Sequence, residues 1–340
     1  MMMEVHSPSY ITQRLSLSRL SGAFVLCVVL LLASFVHLSV GAKSLDWMTI
    51  WHALTAYDPS DLDQAIVRES RQARLLVALM VGAALALAGV IMQAISSNPL
   101  ADPGLLGINS GAAFFVVASL LFLPSLSHHY LPVFAFLGAT FAALLVMALS
   151  GSQQNSERLI LAGVAITALF ASMTAILLLI DQQGLDKLRH WLTGAIGASD
   201  LKKLEWVYPY LLGAVLYSFV LVRSLNAFHL GERVAASLGV NVMLLKLSGL
   251  VLVVILSGSV VAVAGPIGFV GLVVPHMARL LIRNGYVWLF VYSLLLGALL
   301  LVLSDIAARM ILRPYEINTG IVTAFVGAPV FIALVLGKMR

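Results

Sequence analysis

The chain consists of ten apolar blocks, each close to the length that crosses a bilayer, and this constrains its fold more than any other feature. About twenty residues at ~1.5 Å rise cover a hydrocarbon core of ~30 Å, where each backbone N–H and C=O must be satisfied without water. The blocks read as spans over Ser21–Val40, Leu75–Ile95, Leu105–Leu123, Leu131–Leu149, Leu159–Ile180, Val207–Leu225, Leu244–Ala264, Gly268–Ile282, Trp288–Leu303 and Ile321–Leu336. Hydrophobic residues make up 61% and charged residues 10%, where a soluble domain has roughly half and a quarter. A soluble protein is excluded. The expectation is an all-α polytopic membrane protein, one transmembrane domain over 1–340, with no room for a sizeable catalytic domain in water. Any energy source lies on another chain.

Cys27, inside the first block, is the single cysteine, so neither a disulfide framework nor a thiolate cluster is available. The net charge of +5 comes from Lys and Arg scattered over loops and span ends. That pattern suits membrane topology and partner docking, not nucleic acid. Met1–Leu20 is a polar leader, and the apolar stretch after it is too long for a signal peptide, so it is expected to stay as a first span. Counting Lys and Arg does not orient the bundle. With the N-terminus inside, Arg14, Arg19, Arg158, Arg223, Arg233, Lys246, Arg279, Arg283, Lys338 and Arg340 lie inside and ten others outside. Arg14 and Arg19 before the first span, against Lys43 after it, favour the N-terminus inside.

Three connections, Ala42–Arg74, Asp181–Trp206 and Asn226–Met243, are long enough for extra helices. Within the third, Leu230–Gly239 reads LGERVAASLG, an amphipathic helical pattern closed by a glycine at the C-cap. It is either a surface helix presented to a partner or a connector. Small residues recur in the spans, Gly82 with Ala86, Gly107 with Gly111, and Gly265, Gly268 and Gly271. Helices in lipid associate through such close approaches, so a compact bundle is expected.

Catalytic signatures are absent. No GxxxxGK[ST] phosphate loop, HExxH or CxxC occurs, and no nucleophile–base pair can be assembled from the spans. His276 reads as a polar anchor sharing one face with Arg279 on a short helix beginning after Pro275. It has no second ligand at metal spacing, so neither a metal nor a cofactor is expected. Ionisable residues inside spans are costly and default to functional candidates. Asp305 is the only one read close to a span, and Arg309 four residues later can pair with it, which makes it a poor proton-coupling carboxylate. Asn98–Gly104, NPLADPG, breaks helix between two spans. It is either a tight turn or irregular backbone buried at membrane depth.

Five segments carry a resemblance that is collinear from the first span to Gly337: GAALALAGVIMQAISSNPLADPGLLGINSGA (Gly82–Ala112), LILAGVA (Leu159–Ala165), LGERVAASLGV (Leu230–Val240), VAGPIGFVGLVVPHMAR (Val263–Arg279) and GIVTAFVGAPVFI (Gly320–Ile332). The chain resembles the FecCD-family permease subunits of type II ABC importers for iron-siderophores, haem and cobalamin. The resemblance implies a ten-span fold like that of the cobalamin permease, in the bacterial cytoplasmic membrane with both termini cytoplasmic. It also implies a second permease subunit, identical or paralogous, two cytoplasmic ATPases, and a periplasmic or tethered binding protein. Leu230, Gly231, Glu232, Ala235, Leu238 and Gly239, in the loop 226–243, match the coupling helix that docks on the ATPase, with Ala236 where relatives often carry Arg. Arg71 and Arg74 match an RxxR pair, and Arg309 a third arginine, that meet acidic residues of the binding protein; Ala73 replaces the usual proline. Asn98 and Ser156 match polar residues closing the cytoplasmic end of the pathway, and Asn318 replaces a proline before the last span. The implied mechanism is alternating access driven by the ATPases, along a pathway poor in strong contacts. A ferric siderophore is the expected substrate, on the GINSGA form of Gly107–Ala112, with haem or cobalamin as alternatives. From another class, a proton-coupled carrier using Asp305 would work without an ATPase.

Overall fold

The computed structural model describes residues 8–41, 43–123, 130–150, 156–180, 191–282, 285–313 and 315–338. Helices follow the apolar blocks: α1 (Pro8–Ser39), α4 (Gln72–Ile95), α5 (Ile108–Phe122), α6 (Leu131–Ser150), α7 (Ser156–Ile180), α8 (Asp200–Phe228), α10 (Val242–Ala264), α11 (Val270–Leu281), α12 (Tyr286–Met310) and α13 (Thr319–Lys338). Shorter helices decorate the connections, α2 (Trp47–Thr55) and α3 (Leu62–Ala65) in the first and α9 (Glu232–Ser237) in the third. Seven of the described helices are long and apolar enough to cross a membrane, and three shorter apolar ones complete the ten. No strand occurs among the described residues. α1 continues back to Pro8, so the second half of the polar leader is helical too.

α4 is the central helix. Almost all of it is buried, because Gly82, Ala84, Ala86, Ala88 and Gly89 leave room for neighbours on every side. A Cβ on Gly82 would overlap the Gly297 carbonyl, and one on Gly297 would overlap that of Gly82, so α4 and α12 cross at backbone contact. Gly89 meets the Gly271 carbonyl of α11 in the same way, and Gly111 meets Gly138 where α5 crosses α6. These are the close approaches expected of small residues in lipid. Gly268 is different, since nothing lies within 4 Å of where its Cβ would be. On the opposite surface, α1 exposes Phe24, Val25, Leu31 and Leu32, the apolar face of a helix that borders lipid.

The NPLADPG stretch is no tight turn. After α4 ends at Ile95 the chain reverses through Ser97 (φ 50°) and runs back along the bundle. A Cβ on Gly271 would touch the Pro103 ring at 3.0 Å and the Leu85 carbonyl at 3.1 Å, so Pro103 has returned to the level of mid-α4. Ten residues of helix separate Leu85 from Ile95, a climb of about 15 Å. A 3-10 turn (Pro103–Leu106), N-capped by Asp102 Oδ1 accepting from the Gly104 N–H at 2.7 Å, and Gly107 (φ 69°) then start α5 deep in the bundle. Ala101, Pro103 and Leu106 are buried, as irregular backbone at membrane depth must be. α11 also starts at this depth, at Val270, after Phe269 (φ 68°). Its start corrects one expectation. Pro275 lies inside α11, not ahead of it, because the five preceding residues are already helical.

Candidate docking and gating sites

Asp305 anchors one end of the bundle. Near the end of α12, it is fully buried and its carboxylate takes up partners from three other helices. Arg74, at the start of α4, grips it bidentately, Nε to Oδ2 at 3.0 Å and Nη2 to Oδ1 at 3.0 Å. His37 Nε2 of α1 lies 2.9 Å from Oδ2, the Thr319 hydroxyl of α13 donates to Oδ1 at 2.7 Å, and Arg309 Nε lies 3.2 Å from Oδ2. Charge and hydrogen bonds together satisfy a carboxylate that could not otherwise stay ionised in this position. Arg74 Nη1 also reaches Glu316 Oε2 at 2.6 Å.

The two other arginines serve the end of α1. A helix leaves its last carbonyls unsatisfied and negative in character. Arg71 Nη1 donates to the Leu38 and Ser39 carbonyls, both at 2.7 Å, and its Nη2 donates to that of Lys43. Arg309 donates to the Val40 carbonyl at 2.7 Å and to that of His37 at 3.2 Å. Gly41 provides the space, since its Cβ would come within 2.9 Å of the Arg71 guanidinium.

Arg71, Arg74 and Arg309 therefore converge on one end of the bundle, but facing inward. Arg71 is 5% and Arg309 3% exposed, while the Arg74 side chain keeps 14%. The chain by itself does not present three open forks to a partner. Arg309 does pair with Asp305 at i,i+4 as expected, and the stronger grip comes from Arg74. His37 was missed in the sequence, where only Asp305 stood out among ionisable residues near a span. It sits inside the first apolar block, and a titratable residue there signals a partner. Glu316 and Thr319 carried no such signal.

α9 occupies the opposite end. The helix expected over LGERVAASLG is present as Glu232–Ser237, after Gly231 (φ 112°). Gly239 (φ 83°) closes it with two back-bonds, its own N–H to the Ala236 carbonyl and the Val240 N–H to that of Ala235, both 3.0 Å. This is the Schellman arrangement, which requires a residue tolerant of left-handed backbone. Ala235 is buried against the bundle, whereas Val234 on the helix, Leu230 before it and Leu238 at its C-cap stand exposed. Glu232 pairs with Lys246 of α10 at 2.5 Å, which sets how α9 lies across the end of the bundle. Ala236 is exposed. Asn98, on the returning stretch, accepts from the Leu100 N–H at 2.9 Å. Ser156 begins α7, and its side chain lies outside the described residues. Asn318 hydrogen-bonds Thr193.

A further polar link, also missed in the sequence, runs between α4 and α11. Pro275 has no N–H, so the Gly271 carbonyl four residues back loses its helical partner. The buried Gln93 amide of α4 donates to that carbonyl at 3.3 Å and to Leu272's at 3.5 Å. Its oxygen accepts from Arg279 Nη1, in the last turn of α11. His276 Nδ1 lies 3.1 Å from the Leu272 carbonyl and stacks edge-on against Phe331. It is a packed anchor. No group of three or more His, Cys, Asp or Glu able to hold a metal occurs among the described residues.

A bundle of apolar helices with irregular backbone at its centre, a surface helix on one end and an arginine-clamped carboxylate at the other defines a polytopic membrane permease. The chain belongs to the FecCD transport family, whose model matches residues 26–337. It is 41% identical over 313 residues to the Probable siderophore transport system permease protein YfiZ of Bacillus subtilis, covering 91% of this chain and 94% of that one. It is 40% identical over 320 residues to the Ferric enterobactin transport system permease protein FepD of Escherichia coli, covering 93% and 95%. A solved metal-chelate type ABC transporter in an inward-facing conformation superposes with a TM-score of 0.81 at 30% identity, over 94% of this chain and 99% of that one. The protein is thus the permease component of an ABC importer, a multi-pass protein of the bacterial inner membrane.

Proposed function

We propose that this permease carries a ferric siderophore inward across the cytoplasmic membrane, with both termini cytoplasmic. It pairs with a second permease subunit, two ATPases and a binding protein. The capped surface helix α9 carries this reading: exposed Val234 on it, with Leu230 before it and Leu238 at its C-cap, gives an apolar ridge of the kind that fits a groove on another protein. Glu232 and its ion pair with Lys246 hold the ridge at a set angle, while Gly231, Ala235 and Gly239 shape the helix beneath it. ATP binding moves the ATPases, α9 follows, and the stretch at Asn98 opens or closes against the start of α7 at Ser156.

At the other end the binding protein meets the cluster of Arg71, Arg74 and Arg309. Arg74 is the guanidinium nearest solvent and makes the docking contact, while Arg71 and Arg309 hold the platform by clamping α1. Siderophore is favoured over haem and cobalamin by the GINSGA form of Gly107–Ala112 and by the relatives' names.

Two experiments test this. In vesicles holding the complete transporter, replacing Glu232 and Leu238 is expected to abolish ATP-driven uptake, and normal uptake would sink the coupling assignment. A deletion strain grown on single iron sources is expected to fail on a ferric siderophore while still using haemin, and the reverse result assigns haem.

A further inference from the structure

The link from Gln93 through Arg279 has a geometry that packing alone does not require. α11 starts at mid-bundle, and Pro275 leaves its first turn one hydrogen bond short. That turn is the part of α11 that touches Pro103 on the returning stretch. The missing bond is supplied from another helix, by an amide that is 3% exposed and held in one orientation. Arg279 can only donate, so Gln93 must turn its oxygen toward the guanidinium and its NH2 toward the Gly271 carbonyl.

Beyond Arg279 the same connection reaches α9. Arg279 stands in the last turn of α11, which packs against α12, the helix that Tyr286 begins. Tyr286 donates its backbone N–H to Asn226 Oδ1 at 3.2 Å and packs edge-on against His229 at 6.1 Å between ring centres. Asn226 and His229 close α8 and lead into α9 two residues later. A line of packed helices and side-chain contacts therefore joins the surface helix to the mid-membrane backbone at Pro103. Its weakest point is a helical turn held by a replaceable side-chain bond.

We propose that Gln93 and Arg279 are positioning residues for transport: they hold the first turn of α11 against Pro103 and pass movement of α9 to the stretch Asn98–Gly107. The proposal rests on α9 being the coupling helix. A turn lacking one backbone bond is the place where a rigid bundle can change shape at least cost. An amide supplied from α4 can hold that turn or release it.

Hydrogen exchange over Gly268–Val274, read by mass spectrometry on the complete transporter with its ATPases, tests this. ATP with vanadate is expected to change exchange over Gly268–Val274 at least fivefold in the unaltered protein. Gln93→Leu should reduce that response to less than twofold, with ATP hydrolysis retained. Gln93→Glu, which keeps an acceptor for Arg279 but loses the NH2, should behave the same and covers the case in which Gln93→Leu fails to assemble. Arg279→Lys, still a donor to Gln93, should keep most of the response, and Arg279→Met should not. A full response in both Gln93 variants overturns the proposal. Leu238→Glu separates it from the reading beneath: a response that survives Leu238→Glu removes the coupling-helix assignment. A response lost in Leu238→Glu but intact in the Gln93 variants removes only the polar link.

Discussion

His37 Nε2 lies 2.9 Å from Asp305 Oδ2 across 268 residues of chain, and neither side chain has any exposure. The pair joins the end of the first span to the end of the ninth. Around it Arg74, Arg309 and Thr319 complete the carboxylate, so this end of the bundle is held by one acid and the donors of four helices.

Replacing the acid removes a carboxylate shared by two guanidinium groups, of which Arg74 keeps Glu316. Asp305→Asn removes the charge opposite Arg74 and Arg309, and breaking a buried pair from one side costs about 3–5 kcal/mol. Thermal unfolding in detergent is expected to fall by several degrees, with ATP-driven uptake declining only as far as folded protein is lost. Uptake that needs no ATPase and disappears in a fully stable Asp305→Asn protein would instead support a proton-coupled carrier.

Arg71→Lys should loosen the end of α1. A lysine cannot reproduce a planar fork that donates to the carbonyls of Leu38, Ser39 and Lys43 together. The loss is about 1.5–3 kcal/mol for charge-assisted bonds. Faster amide exchange over 38–45 than in the unaltered protein is the expected signature. Gly41→Ala should give the same signature, because its methyl displaces the guanidinium.

The α4–α12 crossing predicts a non-additive pair. Gly82→Ala and Gly297→Ala each push two backbones apart, at about 1–3 kcal/mol for overpacking. Once one methyl has opened the crossing the second meets less resistance, so the double variant should cost less than the sum. Gly213→Ala, inside α8 with nothing within 4 Å, is the control and should cause no loss of stability. Unfolding midpoints of the four proteins decide it.

Gly239→Ala should separate stability from transport. A side chain at φ 83° strains the Schellman closure of α9 by about 1–2 kcal/mol. α9 lies at the surface, so the bundle's unfolding midpoint should hardly move while ATP-driven uptake falls severalfold. Glu232→Gln removes an ion pair whose acid is 57% exposed, and a screened pair of this kind contributes at most about 1 kcal/mol. Its expected effect is also on uptake.

Much of this was legible in consecutive residues. The ten apolar helices, the α9 helix with its glycine closure, and the close approach at Gly82 all stand where the chain suggested, although α5 and α11 start deep in the bundle and are shorter than spans. The irregular stretch after Asn98 was legible as irregular, but not as a return to mid-bundle. The register of a loop against a distant helix has no local signal. The same holds for the arginines: their positions could be read, but not the inward turn that hides Arg71 and Arg309.

The number and order of the apolar helices and the closure of α9 were determined by the sequence alone, because bilayer thickness acts on runs of neighbouring residues and caps act over a single turn. Only the tertiary structure decided which polar groups meet. Asp305 with His37, Arg71 with the end of α1, and Gln93 with the carbonyl left free by Pro275 are pairings of residues 33 to 268 positions apart. In a medium without water each buried donor must find whatever acceptor the packed helices place beside it. That choice belongs to the packing, and the chain's local pattern does not contain it.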